Sequence, residues 1–204
     1  QYRVFSPEGY DPLYPKWYGQ FLYNTTSFTN STRSDAAIAS HFGDGGLSVE
    51  PTMKLLNALS VRYILDRTEN GENTKIPNRF KKIYTFEDWS VYENPNAASR
   101  AYIQNGTATI RLYEPERIVI ETVSATASTL TLTDTWYPGW EAQVDGTITI
   151  IEKTGAFRSV PVPAGQHTVT FTYRPKSVAI GGMISIASII ITLIGIVITR
   201  RKRS

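Results

Sequence analysis

The longest apolar run of the chain covers residues 178–199, VAIGGMISIASIIITLIGIVIT, and its 22 residues include no charge. An α-helix rises about 1.5 Å per residue, so the run would be roughly 33 Å long. That length matches a hydrocarbon core of roughly 30 Å. A buried core helix is the alternative, but such a helix rarely ends in four consecutive basic residues, as this run does. The pattern therefore predicts one C-terminal transmembrane helix.

The charges on either side of this run predict its orientation. Residues 200–203 are all basic, whereas the preceding flank carries only Arg174 and Lys176. A cluster of positive charge stays in the cytoplasm more easily than it crosses the membrane. We therefore expect a cell-membrane protein with Ser204 in the cytoplasm and residues 1–175 outside it.

Small residues inside the run recur at alternating intervals of four and three, which places them on one stripe of the helix. Such stripes let neighbouring membrane helices approach closely. The alternative is that these residue types are simply common in membrane spans. We favour a helix-packing face that contacts other transmembrane helices of the full-length protein. Its residues are Gly181, Ser185, Ser188, Thr192, Gly195 and Thr199.

Between residues 100 and 175, apolar and polar positions alternate with a period of two, which indicates β-strands. Turn-forming residues separate the strands, and no helical pattern interrupts them. This arrangement predicts an antiparallel β-sandwich. The candidate strands are RAYI, TATIRLY, RIVIETVSA, TLTLTDT, GWEAQVD, TITIIEK, FRSVPV and HTVTFTYR.

Residues 1–99 mix helical and strand patterns. We predict helices at about 15–22 and 51–59, a short buried strand at 61–65, and a hairpin that turns near Glu87 and Asp88. The fold class is therefore α+β. Its divisions are a small mixed α/β extracytoplasmic segment (1–99), a β-sandwich domain (100–175), and a transmembrane helix with a basic cytoplasmic tail (176–204).

Charge and composition exclude several functions. Of 21 basic residues, four lie in the tail, which leaves 17 against 18 acidic residues before it. That balance provides no basic surface for nucleic acid. The absence of cysteine excludes disulfides and thiol nucleophiles. The sequence also shows no recognisable metal, cofactor or catalytic set, so we expect no cofactor.

The few histidines and carboxylates that could carry chemistry are scattered. His41 lies in the loop sequence HFGDGG and His167 lies at the start of a strand, and neither has an evident triad. Asp134, Glu141 and Asp145 flank the sequence WYPGW, where paired carboxylates could hydrolyse a glycoside. A turn role explains Asp145 better, because it precedes Gly146.

The aromatic residues Trp136, Tyr137 and Trp140 bracket a Pro-Gly turn, and Trp17 lies in an aromatic stretch near the start of the chain. Such rings can stack on a sugar, so we predict them as possible glycan-contacting residues. The three rings of the turn could also lie at the membrane interface or cap the core. Trp17 could instead belong to a helix that buries its rings on the next domain. Glycosylation sequons begin at Asn24, Asn30 and Asn105 and match by chance in threonine-rich chains.

Several sequences, in this order, resemble the bacterial membrane protein YfhO family. They are GYDPLYPKWYGQFL, LLNALSVRYIL, WSVYENPNAASRAYI, DTWYPGWEAQVDG and FRSVPVPAGQHTVTFTYRP, the last of which precedes the final span. The resemblance implies a polytopic, glycosyltransferase-like membrane protein that uses lipid-linked sugars and acts on cell-envelope polymers such as teichoic acids. It also implies that the acidic catalytic residue lies in an early extracytoplasmic loop, which this chain does not contain.

We therefore expect an accessory extracytoplasmic region that helps to receive an acceptor glycan or braces the catalytic helices. Any sugar transfer would then belong to the full-length protein. The alternative is a single-pass, membrane-anchored surface module that binds carbohydrate or protein. The expected partners are the membrane, other transmembrane helices and an envelope glycan, and not nucleic acid.

Overall fold

The computed structural model describes residues 15–26, 50–67 and 76–201. The predicted loop at 27–44 with His41, the sequon at Asn30 and the tail residues 202–204 lie outside this part of the chain. The described helices are α1 (Lys16–Thr26), α2 (Glu50–Ala58) and α3 (Lys176–Arg201). The described strands are β1 (Tyr63–Arg67), β2 (Lys81–Phe86), β3 (Trp89–Glu93), β4 (Ala101–Ile103), β5 (Gly106–Tyr113), β6 (Arg117–Ser124), β7 (Ser128–Thr135), β8 (Trp140–Val144), β9 (Thr147–Thr149), β10 (Glu152–Thr154), β11 (Phe157–Val162) and β12 (Gly165–Tyr173).

The predicted α+β class is confirmed, because antiparallel sheets make up most of the structure and an apolar helix ends it. The predicted helices at 15–22 and 51–59 correspond to α1 and α2. Pro15 precedes α1, and its carbonyl accepts the N–H of Tyr18 at 2.9 Å. Glu50 lies in the first turn of α2, where its negative charge interacts favourably with the positive end of the helix dipole.

Strands β1, β3 and β2 form a small sheet in that order, and the predicted hairpin at Glu87 and Asp88 is confirmed. Glu87 takes a positive φ of 50°, which lets two residues connect the strands. The predicted buried strand at 61–65 is wrong in position and burial. The strand begins at Tyr63, and Leu65 is 65% exposed.

One face of this small sheet carries exposed apolar side chains, and no described residue covers it. Within the run VRYIL, the exposed positions Tyr63 and Leu65 lie on one face and are both large and apolar. The sequence pattern therefore gave no sign that this face is exposed. The exposed large side chains of the sheet are Tyr63, Leu65, Ile83, Tyr84, Phe86 and Trp89.

The remaining strands form two antiparallel sheets, which we call the two-sheet unit. One sheet has the order β10-β11-β7-β4 and the other β5-β6-β12-β8-β9. Their inward residues meet in one hydrophobic cluster, which supports the predicted sandwich. The first sheet contributes Ala101, Ile103, Leu130, Leu132, Val160 and Val162, and the second contributes Ile118, Ile120, Ala142, Val169 and Phe171.

The candidate strand TITIIEK is two strands, which corrects the sequence prediction. β9 pairs with β8 in one sheet and β10 pairs with β11 in the other, so the chain crosses between the sheets at Ile150 and Ile151. Ile150 is 77% exposed, whereas Ile151 packs against the core. These adjacent isoleucines break the alternation of the run, and the break marks the crossing.

The helices α1 and α2 pack on the two-sheet unit through a second hydrophobic cluster. Phe157 of β11 joins this cluster, and its ring lies 5.2 Å from the ring of Phe21. The cluster therefore contains residues from both sides of the predicted boundary at residue 100, and the division into domains stays a prediction. Its buried residues are Tyr18, Met53, Leu55, Leu56, Phe80, Ala156 and Phe157.

The turn before β5 shows why its residues are Asn and Gly. Asn105 takes the positive φ of this turn, 57°. Gly106 is instead required for space, because a Cβ there would lie 2.2 Å from the carbonyl oxygen of Val123.

The junction with α3 is short and bonded. β12 ends at Tyr173, and the N–H of Arg174 donates to the carbonyl oxygen of Gly139 at 2.6 Å. Pro175 then packs on Gly139. A Cβ added at Gly139 would lie 3.1 Å from the Cα atom of Pro175. In the described residues, 176–199 is the one segment long and apolar enough to cross a membrane, and residues 178–199 are exposed.

Candidate functional site

Three of the four predicted glycan-contacting residues lie together at the end of β7. Trp17 of α1 donates its indole N–H to the carbonyl oxygen of Trp136 at 2.9 Å. The ring of Trp17 lies 5.3 Å from that of Trp136, edge to face, and 6.1 Å from that of Tyr137. The Nζ atom of Lys153 lies 5.6 Å from the Trp17 ring and 6.0 Å from the Trp136 ring. Tyr137 is the most open of the three aromatic residues, at 47% exposed.

Trp140, the fourth predicted residue, makes different contacts. Its ring centroid lies 3.9 Å from the guanidinium carbon of Arg158 and 5.3 Å from the ring of Tyr173. Arg158 also lies 5.5 Å from the ring of Phe171. Trp140 therefore covers a buried charge, and this stacking occupies a face that a sugar would need.

The buried charge belongs to a network around Asp134, which the sequence analysis missed. The carboxylate of Asp134 accepts hydrogen bonds from Arg158 Nη2 at 2.8 Å, from Arg100 Nε at 2.9 Å, and from the hydroxyl of Tyr113 at 2.8 Å. Arg100 also donates to the Tyr113 hydroxyl oxygen. Arg158 and Asp134 expose only 3% and 9% of their side chains. The network joins β7 and β11 of one sheet to β5 of the other.

This environment shifts the pKa values of two side chains in the network. Burial raises the pKa of Tyr113 to about 12, and the charge of Asp134 and its hydrogen bond to the phenol add to the shift. Burial lowers the pKa of Arg158, while the charge of Asp134 opposes that change. At neutral pH the phenol therefore stays protonated and donates to the carboxylate.

A sequence signal for the network exists in the strand FRSVPV. Val160 and Val162 face the core, and Arg158 has the same phase of alternation. Asp134 likewise has the phase of Leu130 and Leu132. A charged residue in the apolar phase of a strand predicts a buried partner of opposite charge, because an unpaired buried charge is costly.

The other carboxylates near WYPGW have separate partners. Glu141 is half exposed and lies 3.8 Å from Arg174. Asp145 holds the turn before β9, as predicted, where its side chain accepts the N–H of Thr168 at 2.8 Å. We find no arrangement among these described carboxylates that leaves two of them free to act together on a glycoside.

His167 forms a pair with Asp145 rather than a triad. Its Nδ1 lies 2.6 Å from Asp145 Oδ2, and its Nε2 lies 3.1 Å from the carbonyl oxygen of Ala164. Both partners are acceptors, so the doubly protonated ring satisfies both. The hydrogen bond to Asp145, followed by that to Ala164, raises the pKa of His167, and the same pairing lowers the pKa of Asp145.

No described residues form a group of three or more histidine or acidic side chains that could hold a metal ion. Three hydroxyls of the predicted helix-packing face are bonded within α3. Ser188 donates to the carbonyl oxygen of Ile184 at 2.9 Å, Thr192 to that of Ser188 at 2.8 Å, and Thr199 to that of Gly195 at 2.9 Å. These bonds leave the small-residue stripe available for close approach, but nothing described lies against it.

A match to a known protein family covers the two-sheet unit from β5 onward together with the start of α3. Residues 106–185 match the bacterial membrane protein YfhO family. The predicted resemblance is thereby confirmed over this segment, which includes Asp134, Trp136, Trp140 and Arg158. No match was found among curated proteins or among solved structures.

The YfhO match and the apolar helix α3 together support a membrane protein. The match ends inside α3, so the family segment runs without interruption from the two-sheet unit into the span. The resemblance that we predicted for the sequences before residue 106 stays a prediction.

We expect Asp134→Asn to destabilise the two-sheet unit by about 3–5 kcal/mol, because it leaves Arg158 buried without its counter-charge. Thermal unfolding of the chain in detergent, followed by circular dichroism, measures the loss. The control is Glu141→Gln, which removes a half-exposed carboxylate and should change stability by less than about 1 kcal/mol.

Adding Arg158→Met to Asp134→Asn should recover part of the loss, because an apolar side chain of similar length needs no counter-charge. Equal melting temperatures for wild type and Asp134→Asn would contradict a structural role for the network.

Proposed function

We propose that this chain is the outer, accessory region of a glycosyltransferase-like membrane protein that acts on a cell-envelope polymer. The observation that carries the proposal is the YfhO match at residues 106–185, which joins the two-sheet unit to a membrane helix. The glycosyltransferase activity, the polymer and the outer location come from the resemblance and from the charges that flank α3.

The side chains of the two-sheet unit support an accessory role rather than a catalytic one. Transfer from a lipid-linked donor needs a carboxylate base next to the acceptor and a positive site for the phosphate. Among the described residues, Asp134 is committed to Arg100 and Arg158, and Asp145 is committed to His167. Their hydrogen bonds stabilise the fold and leave no open carboxylate between the sheets.

The bracing role that we propose uses α3 as one helix of a larger bundle. Its side chains from 178 to 199 are exposed, and its small residues lie on one stripe. A sugar contact at Trp17, Trp136, Tyr137 and Trp140 stays a prediction. Of these, Tyr137 offers the most open ring.

The orientation can be tested by labelling intact cells with an impermeant thiol reagent, because the chain has no cysteine of its own. We expect Thr107→Cys, on exposed β5, to be labelled, and Ser204→Cys to be labelled only after the cells are opened. Labelling of Ser204→Cys alone in intact cells would reverse the orientation.

Helix docking can be tested with a photo-crosslinking residue at position 188 of the full-length protein in its native membrane. We expect crosslinks to another transmembrane helix, because Ser188 lies on the small-residue stripe. Position 190 is the matched control, since a step of two residues turns about 200° around the helix.

Crosslinks to lipid alone from both positions would instead support the single-pass binding module, which has no bundle to dock against.

Sugar transfer separates the accessory role from a catalytic one. We expect the chain in lipid nanodiscs, mixed with polyprenyl-phosphate-linked sugar and cell-wall polymer, to transfer no label, because Asp134, Glu141 and Asp145 are each paired with a basic side chain. Turnover that disappears in Glu141→Gln, a variant that we expect to fold normally, would make the two-sheet unit itself the enzyme.

A further inference from the structure

The connection between β7 and β8 lies next to the start of the membrane helix. The carbonyl oxygen of Gly139 accepts the N–H of Arg174 at 2.6 Å, and α3 begins two residues later at Lys176. The polar layer between bilayer core and water is only roughly 5–8 Å thick on each side. When α3 spans the membrane, a group bonded to Arg174 therefore lies at or beside this layer.

The side chains beside Gly139 on this connection are of the kinds that the polar layer favours. Tyr137 is 47% exposed, and Pro138 next to it is also exposed. Trp136 and Trp17 pack edge to face, with the ammonium group of Lys153 over both rings. Tyrosine and tryptophan combine an apolar ring with a polar group, and lysine can extend its charge toward headgroups. We call this set, Trp17, Trp136, Tyr137, Pro138 and Lys153, the aromatic flank.

The opposite side of the same junction is acidic. The N–H of Tyr173, the last residue of β12, donates to the carbonyl oxygen of Glu116 at 2.8 Å. Glu116 and Glu114 are exposed in the turn between β5 and β6, and they outnumber the one exposed basic residue there, Arg117. Carboxylates at this level favour water over lipid headgroups. Since β12 lies between β6 and β8 in the sheet, α3 leaves between an acidic side and an aromatic one.

We propose that the aromatic flank rests on the lipid headgroups of the leaflet that α3 enters, while the acidic β5–β6 turn remains in water. The two-sheet unit then leans toward the aromatic flank rather than standing upright on α3. The proposal requires only that α3 spans a membrane, and it holds for either orientation and whether or not the protein transfers sugar.

Lipid fits the aromatic flank better than a glycan for two reasons. The rings of Trp17 and Trp136 contact each other and Lys153, which leaves little flat surface for a sugar to stack on. The bond between Gly139 and Arg174 also holds the connection close to the start of α3, so lipid headgroups are within reach of the flank when α3 spans the membrane.

The experiment compares two exposed turn positions at the junction, in the 204-residue chain reconstituted into vesicles of phosphatidylethanolamine and phosphatidylglycerol. A fluorophore is attached to Pro138→Cys or to Glu116→Cys, and a nitroxide on the lipid headgroup quenches it. We expect about twofold stronger quenching at position 138, because quenching falls steeply across a layer of roughly 5–8 Å.

The flank itself is then altered with the reporter kept at position 138. Tyr137→Ser combined with Lys153→Ser should lower the quenching toward the value at position 116. Tyr102→Ser, which removes an exposed tyrosine of β4, is the matched control and should leave it unchanged. A measurement that keeps Pro138 is the quenching of intrinsic tryptophan fluorescence by the same lipid, which should decrease in Trp136→Phe.

Equal quenching at positions 138 and 116 would overturn the proposal, as would tryptophan quenching that Trp136→Phe leaves unchanged. A reporter at 138 that responds to soluble teichoic acid but not to the headgroup quencher would also overturn it, in favour of a glycan site.

Discussion

A guanidinium group in the interior of the two-sheet unit requires compensating contacts from the structure around it. Arg158 exposes 3% of its side chain, and its Nε and Nη1 atoms have no hydrogen-bond partner among the described residues. Removing such a charge from water costs several kcal/mol unless other groups replace the lost solvation. Asp134 replaces part of the lost solvation, because it pairs with Arg158 directly. Trp140 replaces another part, because its ring offers its negative face to the cation.

These contacts require several strands to end in fixed positions. Arg158 pairs with Leu132 in the register between β7 and β11, and Asp134 lies two residues further along the same face of β7, where the register shifts between Phe157 and Arg158. Irregularities of this kind redirect side chains at the ends of strands. Arg100 and Tyr113 then hold the remaining positions around the carboxylate, so the charge network fastens the two sheets to each other at the end where α1 packs and α3 departs.

The sequence predicts the local elements well and the connections between them less well. The uncharged run before Arg200, the turn at Glu87 and the alternation in β5, β6 and β12 depend on residues close in sequence, so their patterns are sufficient. The crossing at Ile150 depends on which sheet accepts each half of the strand, and a period of two is the same in both sheets. Whether β1 is exposed depends on residues far from it in sequence, so the run VRYIL alone does not predict it.

The candidate site shows the same limit. The proline and glycine of WYPGW predict a turn, and they form one. The partners of its rings come from Trp17, more than a hundred residues earlier, and from Arg158 on a neighbouring strand. Residue type alone does not show whether a tryptophan covers a cation, packs against another ring or faces solvent, so the sequence left those roles open.

The bond from Arg174 to Gly139 makes the junction between β12 and α3 stiff. Only Arg174 and Pro175 separate the strand from the helix; one is hydrogen-bonded, and the other has its φ fixed by its ring. With nine residues, β12 is about 30 Å long, so a helix tilt of about 10° would carry its far end by about 5 Å if the junction did not bend. The two-sheet unit is thus a lever arm on a central strand, and any tilt of α3 is enlarged into a larger displacement at the far end of β12.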